Sequence, residues 1–157
     1  MSAYLAALKL LARRELSEQQ VRQKLARRGH DEDAIDEAIA RLRAERAIDD
    51  ARTAEAIART ETTLRRRGKR RVQMQIERAG IASTVAKRAV DETFQTIDVD
   101  ALLDASLAKR LHGRDTIADE RELQRLYRYL VGQGFDPDRV LARLERQHRP
   151  TRTSSKG

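Results

Sequence analysis

The segment Leu64–Arg71, LRRRGKRR, places six cations within eight residues. Guanidinium and ammonium groups in such a cluster bind phosphates or a carboxylate-rich protein surface. A charge run is also commonly a solvated surface or a targeting signal, so these alternatives stay open. The candidate binding residues in this segment are Arg65, Arg66, Arg67, Lys69, Arg70 and Arg71.

Helix electrostatics help to separate these alternatives. We expect Arg65, Arg66 and Arg67 in the last turn of a helix, where cations interact favourably with the helix dipole. Lys69 and the two arginines after it are expected to begin the next helix, where cations are mildly unfavourable. A purely structural role does not explain that second group, so we favour an anionic partner: phosphates or an acidic protein surface.

Two further groups of residues are candidates for binding the same partner. Arg13, Arg14, Arg27 and Arg28 form a basic cluster around the ends of the first helices, although simple solvation of helix ends explains them equally well. Tyr127 and Arg128 place an aromatic ring beside a cation, a combination that can stack on unpaired bases. Tyr127 and Tyr129 point about 200° apart on a helix, so we expect one of them to pack inward.

The residue types that commonly carry catalysis do not form a recognisable motif. His30, His112 and His148 lie far apart, the chain has no cysteine, and its glycines do not form a phosphate-binding loop. The neighbouring Asp49 and Asp50 are better explained as helix-starting residues than as an acid–base pair. We therefore expect no enzymatic activity, no metal site and no cofactor.

Composition favours a protein that binds an anionic polymer. The 157 residues carry a formal net charge of +8, from 33 basic and 25 acidic side chains. Such a balance favours nucleic acid over a membrane surface as the partner, and the many acidic residues indicate additional protein contacts. Because no apolar run approaches the roughly 20 residues needed to cross a bilayer, we expect a cytoplasmic protein. We also expect it to be a monomer.

Apolar residues recur three or four positions apart through nearly the whole chain, which predicts an all-α fold. Glycines 29, 80 and 134 recur roughly every fifty residues, the scale of a helical repeat. Apolar residues occupy matching positions before and after each glycine: Val21, Val72 and Leu126; Leu25, Ile76 and Leu130; Ile39, Val90 and Leu144. The pattern predicts an elongated array of three tandem three-helix repeats, at residues 1–47, 48–97 and 98–148, followed by a disordered tail at 149–157.

Three ordered stretches resemble one known family, the regulatory protein RecX family. The first is SEQQVRQKL with Gly29 and the later IDDARTA, the second is GKRRVQMQIERAGI, and the third is LYRYL with GF. The similarity runs from about Ala3 to Gln147. Where the family usually has Gly-Tyr before Ile-Asp-Asp, this chain has Arg46-Ala47, and Thr53, Lys69 and Gln75 are further departures.

The resemblance implies a regulator, chiefly an inhibitor, of the recombinase RecA. Members are three tandem three-helix units that lie in the groove of the RecA filament on single-stranded DNA. There they restrain ATP hydrolysis, strand exchange and co-protease activity toward the SOS repressor. The implied partners are the RecA filament and, weakly or through RecA, single-stranded DNA. A nucleic-acid-binding module that acts without RecA is the alternative, and a nuclear signal is not expected in a chain that resembles a bacterial family.

Overall fold

The computed structural model describes residues 1–148, and all of the regular secondary structure in this range is α-helical. Its helices follow one another in three sets of three, which confirms the predicted all-α fold of tandem three-helix repeats. They are α1 Ala3–Leu11, α2 Glu18–Arg27, α3 Glu32–Ala44, α4 Asp50–Thr63, α5 Lys69–Arg78, α6 Ser83–Phe94, α7 Val99–Leu111, α8 Glu120–Gly132 and α9 Pro137–His148. The tail predicted at 149–157 lies outside the described residues.

The chain divides into two compact units. The first unit contains Met1–Arg65 and Val72–Ile97, and the second contains Arg66–Arg71 and the described chain from Asp98 onward. The predicted repeat boundaries after residues 47 and 97 stay a prediction.

The glycine-centred pattern identifies core positions correctly. Leu25, Ile76 and Leu130, each four residues before a glycine, are fully buried, and the other six aligned residues are buried as well. The three glycines adopt φ angles of +88°, +84° and +99°, which L-residues rarely adopt. Each glycine therefore ends a helix in the left-handed conformation, and the same apolar positions pack in each set of three helices.

Polar side chains begin helices α2 and α4, and the helix-starting role predicted for Asp49 is confirmed. Ser17 Oγ accepts a hydrogen bond from Gln20 N at 3.1 Å, and Gln20 Oε1 accepts one from Ser17 N at 2.9 Å, a complete capping box. Asp49 caps α4 by accepting from Arg52 N, while Asp50 accepts from Glu18 N at 2.9 Å. Both carboxylates of the Asp49–Asp50 pair are therefore occupied by backbone donors.

The prediction that Arg65, Arg66 and Arg67 lie in the last turn of a helix is wrong. Helix α4 ends at Thr63, and these arginines occupy the loop before α5. The hydroxyl of Thr62 donates to Ala58 O at 2.8 Å, and that of Thr63 donates to Arg59 O at 2.5 Å. Such back-bonding from threonine competes with helix continuation, and Arg66, with a φ of 52°, leaves the helical region altogether.

The conformation of Arg46 shows how the chain forms a turn at the position where the family usually has glycine. It follows α3 with a left-handed φ of 57°, while Ala47 N donates to Leu42 O at 2.9 Å and Arg46 N donates to Arg43 O at 3.1 Å. This pair of bonds is the glycine-type helix ending known as the Schellman motif. The chain therefore keeps the turn where the family usually has glycine and accepts the strain of a side chain there.

Candidate nucleic-acid and partner interface

The basic segment Arg66–Arg71 is fixed to the turn between α8 and α9 within the second unit. Gly68 N donates to Gln133 O at 2.7 Å, and Arg70 N donates to Gly134 O at 3.2 Å. Two backbone hydrogen bonds thus hold a segment that connects α4 to α5. These hydrogen bonds join backbone atoms only, so they fix the position of the segment without using its side chains.

Two glycines make this close approach possible. A Cβ added to Gly68 would lie 2.5 Å from the carbonyl carbon of Gly134, and one added to Gly134 would lie 2.3 Å from Arg71 N. Neither distance is compatible with a side chain unless the backbone moves. The position of the basic segment therefore depends on residues that carry no charge.

The cations of this segment differ in exposure. Arg66, Lys69 and Arg70 are exposed, whereas Arg67 and Arg71 are half-buried. Arg70 forms a long ion pair of 3.5 Å with Asp136, in which both side chains are more than half exposed. Exposed pairs of this kind contribute little free energy, so the Arg70 guanidinium can exchange Asp136 for an external anion.

Arg65 belongs to the first unit. Its guanidinium lies 3.6 Å from Glu61 one turn earlier, whose side chain is only 8% exposed. Arg65 therefore pairs with a nearly buried carboxylate, whereas the carboxylate that pairs with Arg70 is exposed.

The four arginines predicted as one cluster near the start of the chain form two separate pairs. Arg13 and Arg14 lie in the connection before α2, and Arg27 and Arg28 lie at its end. The ten residues of α2 separate the pairs by about 15 Å. All four side chains are exposed. Arg14 also lines a cavity with Glu15 and Glu61, whose charges make it less suited to an anion.

The tyrosines of α8 do not divide into one buried and one free ring as predicted. Tyr127 and Tyr129 are both half-buried and pack against the second unit's core. Tyr127 lines an apolar groove between α8 and α9 with Leu123 and Leu141, while Arg128 lies at the same groove. The ring of Tyr129 lies under the Arg110 guanidinium instead, with the guanidinium carbon 4.0 Å from the ring centroid.

A second basic site in the second unit was not predicted from the sequence. A cavity of about 290 Å³ is lined by Arg110, Arg114, Glu122, Arg125 and Tyr129, together with Leu126. Glu122 accepts two hydrogen bonds from Arg114, at 2.6 and 3.1 Å, and is 9% exposed. The only signal for this site in the sequence was the spacing of arginines along α8, at positions 121, 125 and 128.

The pair between Arg114 and Glu122 makes a pH-dependent contribution to stability. The hydrogen bonds from Arg114 lower the pKa of Glu122, although burial of its carboxyl opposes this effect. A carboxyl group whose pKa falls on folding stabilises the fold above its unfolded pKa, about 4.3 for glutamate, and loses that effect as the pH falls through the folded pKa. We expect Glu122→Gln to lower the melting temperature at pH 7 and to have a smaller effect at pH 3.

Circular dichroism melts at both pH values test this expectation. Glu120→Gln, which changes an exposed glutamate in the first turn of the same helix, is the matched control. A Glu122→Gln effect of equal size at pH 3 and pH 7 would show that the carboxylate charge is not responsible.

Within residues 1–148 no three histidine, cysteine, aspartate or glutamate side chains group closely enough to hold a metal ion. No helix in this range has the length and apolar character needed to pass through a bilayer.

Comparison with known proteins identifies the family. Residues 3–42 match the family model described as RecX, first three-helix domain. The chain is 36% identical to "Regulatory protein RecX" of Halorhodospira halophila, over 87% of this chain and 83% of that protein. It is 30% identical to the protein of the same name from Syntrophotalea carbinolica, over 85% of this chain and 88% of that one.

A solved structure has a similar fold. The crystal structure of RecX from Lactobacillus salivarius superposes with a TM-score of 0.70 and 23% identity, covering 91% of this chain and 94% of that one. The two proteins therefore resemble each other in the arrangement of their helices. The chain therefore belongs to the regulatory protein RecX family.

Proposed function

We propose that this protein regulates the recombinase RecA, chiefly as an inhibitor. It binds in the groove of the RecA filament on single-stranded DNA and restrains ATP hydrolysis, strand exchange and SOS co-protease activity. It acts in the cytoplasm as a monomer, by binding and without a cofactor. Membership of the regulatory protein RecX family is the main support.

The observation that supports binding to the filament is the anchored basic segment Arg66–Arg71. Its backbone is hydrogen-bonded to the α8–α9 turn, while Arg66, Lys69 and Arg70 remain exposed. Cations held on a fixed backbone lose less conformational entropy on binding than cations on a mobile tail. We include Arg65, Arg67 and Arg71 in the interface, with Arg13, Arg14, Arg27, Arg28, Tyr127 and Arg128 as additional contacts.

A nucleic-acid-binding module that acts without RecA is the second candidate. The net charge of +8 and the same basic segment favour it. This alternative requires tight and strongly salt-dependent binding to bare DNA, because each neutralised phosphate releases counterions.

Titrating the protein into RecA's single-stranded-DNA-dependent ATPase at two salt concentrations distinguishes the two candidates. We expect inhibition well below one molecule per RecA protomer, because a regulator that lies in a filament groove acts on cooperative assembly. Inhibition only at amounts that coat the DNA, and abolished by salt, would favour the nucleic-acid module. No effect on any RecA activity at saturation would reject the regulator.

A further inference from the structure

Helix α8 carries a row of exposed arginines in the second unit. Arg121, Arg125 and Arg128 are spaced four and three residues apart, which places them within about 60° of one another around the helix axis. All three are exposed. Arg125 is near Glu122 and helps to lower the pKa of that carboxyl, although the hydrogen bonds to Glu122 come from Arg114. Arg121 and Arg128 have no acidic residue three or four positions away, where a solvated helix surface commonly places one.

The row separates two surfaces of different chemistry. On one side lies the basic cavity of about 290 Å³, into which Arg125 also faces. On the other side lies the groove lined by Leu123, Tyr127 and Leu141, to which Arg128 contributes. Leu141 is 44% exposed, so this groove offers apolar surface to a ligand.

The arginines of the basic cavity are held in fixed orientations. Arg110 stacks on Tyr129, which holds the plane of the guanidinium and leaves its in-plane N–H groups available. Glu122 holds Arg114 through two hydrogen bonds but neutralises only one charge. Three arginines against one glutamate leave this cavity with an excess of positive charge.

We propose that the α8 row, together with Arg110 and Arg114, is a binding site for single-stranded nucleic acid. The arginines contact successive phosphates, and the apolar groove beside Tyr127 accepts the faces of the bases. This inference deepens the proposed function and rests on it, because it assigns direct contact with the DNA strand to the second unit.

Several features favour a nucleic-acid strand over an acidic protein. The three arginines rise about 6 Å and then about 4.5 Å along the helix axis, so they form a line of charges that successive phosphates of a flexible strand can follow. A single strand also has charged phosphates along one edge and apolar base faces along the other, as binding grooves with aromatic side chains exploit. The basic cavity on one side of the row matches the phosphate edge of such a strand, and the apolar groove on the other side matches its base faces.

The test uses the full chain and a fluorescent oligothymidylate, with affinity measured by anisotropy across a series of salt concentrations. We expect the variant Arg121→Gln, Arg125→Gln, Arg128→Gln to bind about tenfold more weakly at low salt. Its slope of log affinity against log salt should be smaller by about 2, since each lost phosphate contact on a single strand contributes about 0.7.

A matched variant controls for net charge. Arg59→Gln, Arg78→Gln and Arg88→Gln remove three exposed arginines from α4, α5 and α6 of the first unit, with the same change in charge. We expect this variant to retain most of the affinity. Equal losses in the two variants would show a general effect of charge and would overturn the site. Circular dichroism checks that both variants stay helical.

Tyr129→Leu tests the positioning of Arg110 separately from charge. Leucine keeps apolar packing at the core but removes the ring under the guanidinium. We expect about threefold weaker binding with an unchanged salt slope, because the number of neutralised phosphates stays the same. Unchanged affinity would remove Arg110 from the site.

Measuring RecA ATPase inhibition with the same variants separates this inference from the proposed function. If the wild-type protein binds the oligonucleotide through the row but leaves RecA unaffected, the site stands and the proposed function fails. If the wild-type protein inhibits RecA while the α8 variant binds the oligonucleotide normally, the site is overturned. Lost inhibition with normal oligonucleotide binding would also overturn it, because the row would then contact acidic protein.

Discussion

Replacing all six cations of the segment 65–71 by alanine should weaken binding to RecA filaments on single-stranded DNA about a thousandfold. Charge contacts at a solvated interface each contribute roughly a factor of three in affinity, and six of them together reach this size. The measurement is a titration of fluorescent filaments with the variant and the wild-type protein at fixed salt.

The variant should keep its helix content. Arg65, Arg66 and Arg67 lie outside any helix, so alanine there removes no helical residue. Lys69 and the arginines that follow it begin α5, where cations oppose the helix dipole and alanine is the better helix former. Equal helix content in the variant would therefore attribute the loss of binding to the missing charges.

A charge-retaining variant identifies the anion that is bound. Changing the five arginines of the segment to lysine keeps every charge but removes the planar two-pronged donors. A lysine ammonium group can still bind a phosphate as a single point charge. It cannot form the two parallel hydrogen bonds by which an arginine pairs with a carboxylate. Near-normal binding of the lysine variant would indicate phosphates, and a loss close to that of the alanine variant would indicate paired carboxylates. Unchanged binding of the alanine variant would reject this segment as an interface.

Much of the fold was predictable because local rules and tertiary packing agree. Ser17 with Gln20 and Asp31 with Ala34 form helix caps, because short polar side chains at helix starts accept hydrogen bonds from free backbone N–H groups. The left-handed glycines end helices four residues after fully buried apolar side chains. The prediction of core positions was stronger because the same spacing of apolar residues around a glycine occurs three times.

The errors arise where residues other than glycine adopt glycine-like conformations. Arg46, Arg66 and His112 all have positive φ angles, although arginine shows little preference for them. A helix that ends at such a residue lacks the glycine by which the end could be predicted from the sequence. For this reason the loop that contains Arg66 was predicted as helix.

The candidate site was only partly predictable for a related reason. The spacing of Arg121, Arg125 and Arg128 is visible in the sequence because it follows from the geometry of one helix. Two other contacts depend on how α7, α8 and their connection pack, so the sequence alone did not predict them. They are the stacking of Arg110 on Tyr129 and the pairing of Arg114 with Glu122. The approach of Gly68 to Gly134 joins residues far apart in the chain, so no local pattern could have predicted it.

Gly134→Ala should destabilise the second unit by about 3–4 kcal/mol. At a φ of +99° a side chain costs about 1–2 kcal/mol, and the new Cβ would lie 2.3 Å from Arg71 N, so the basic segment must move away. That movement breaks the hydrogen bonds from Gly68 N to Gln133 O and from Arg70 N to Gly134 O, at about 1 kcal/mol each. Faster amide hydrogen exchange in α8 and α9, followed by mass spectrometry, would report the loss.

Three other glycine variants separate the contributions to this effect. Gly29→Ala has the same left-handed strain, with φ of +88°, but nothing within 4 Å of the new Cβ, so we expect only about 1–2 kcal/mol. Gly132→Ala lies in α8 with open space around it and should be neutral or slightly stabilising. Gly68→Ala tests the close contact from the other side, since its Cβ would lie 2.5 Å from the Gly134 carbonyl carbon. If Gly134→Ala cost no more than Gly29→Ala, the backbone contact would not hold the basic segment in place, and Gly68→Ala should then leave filament binding unchanged.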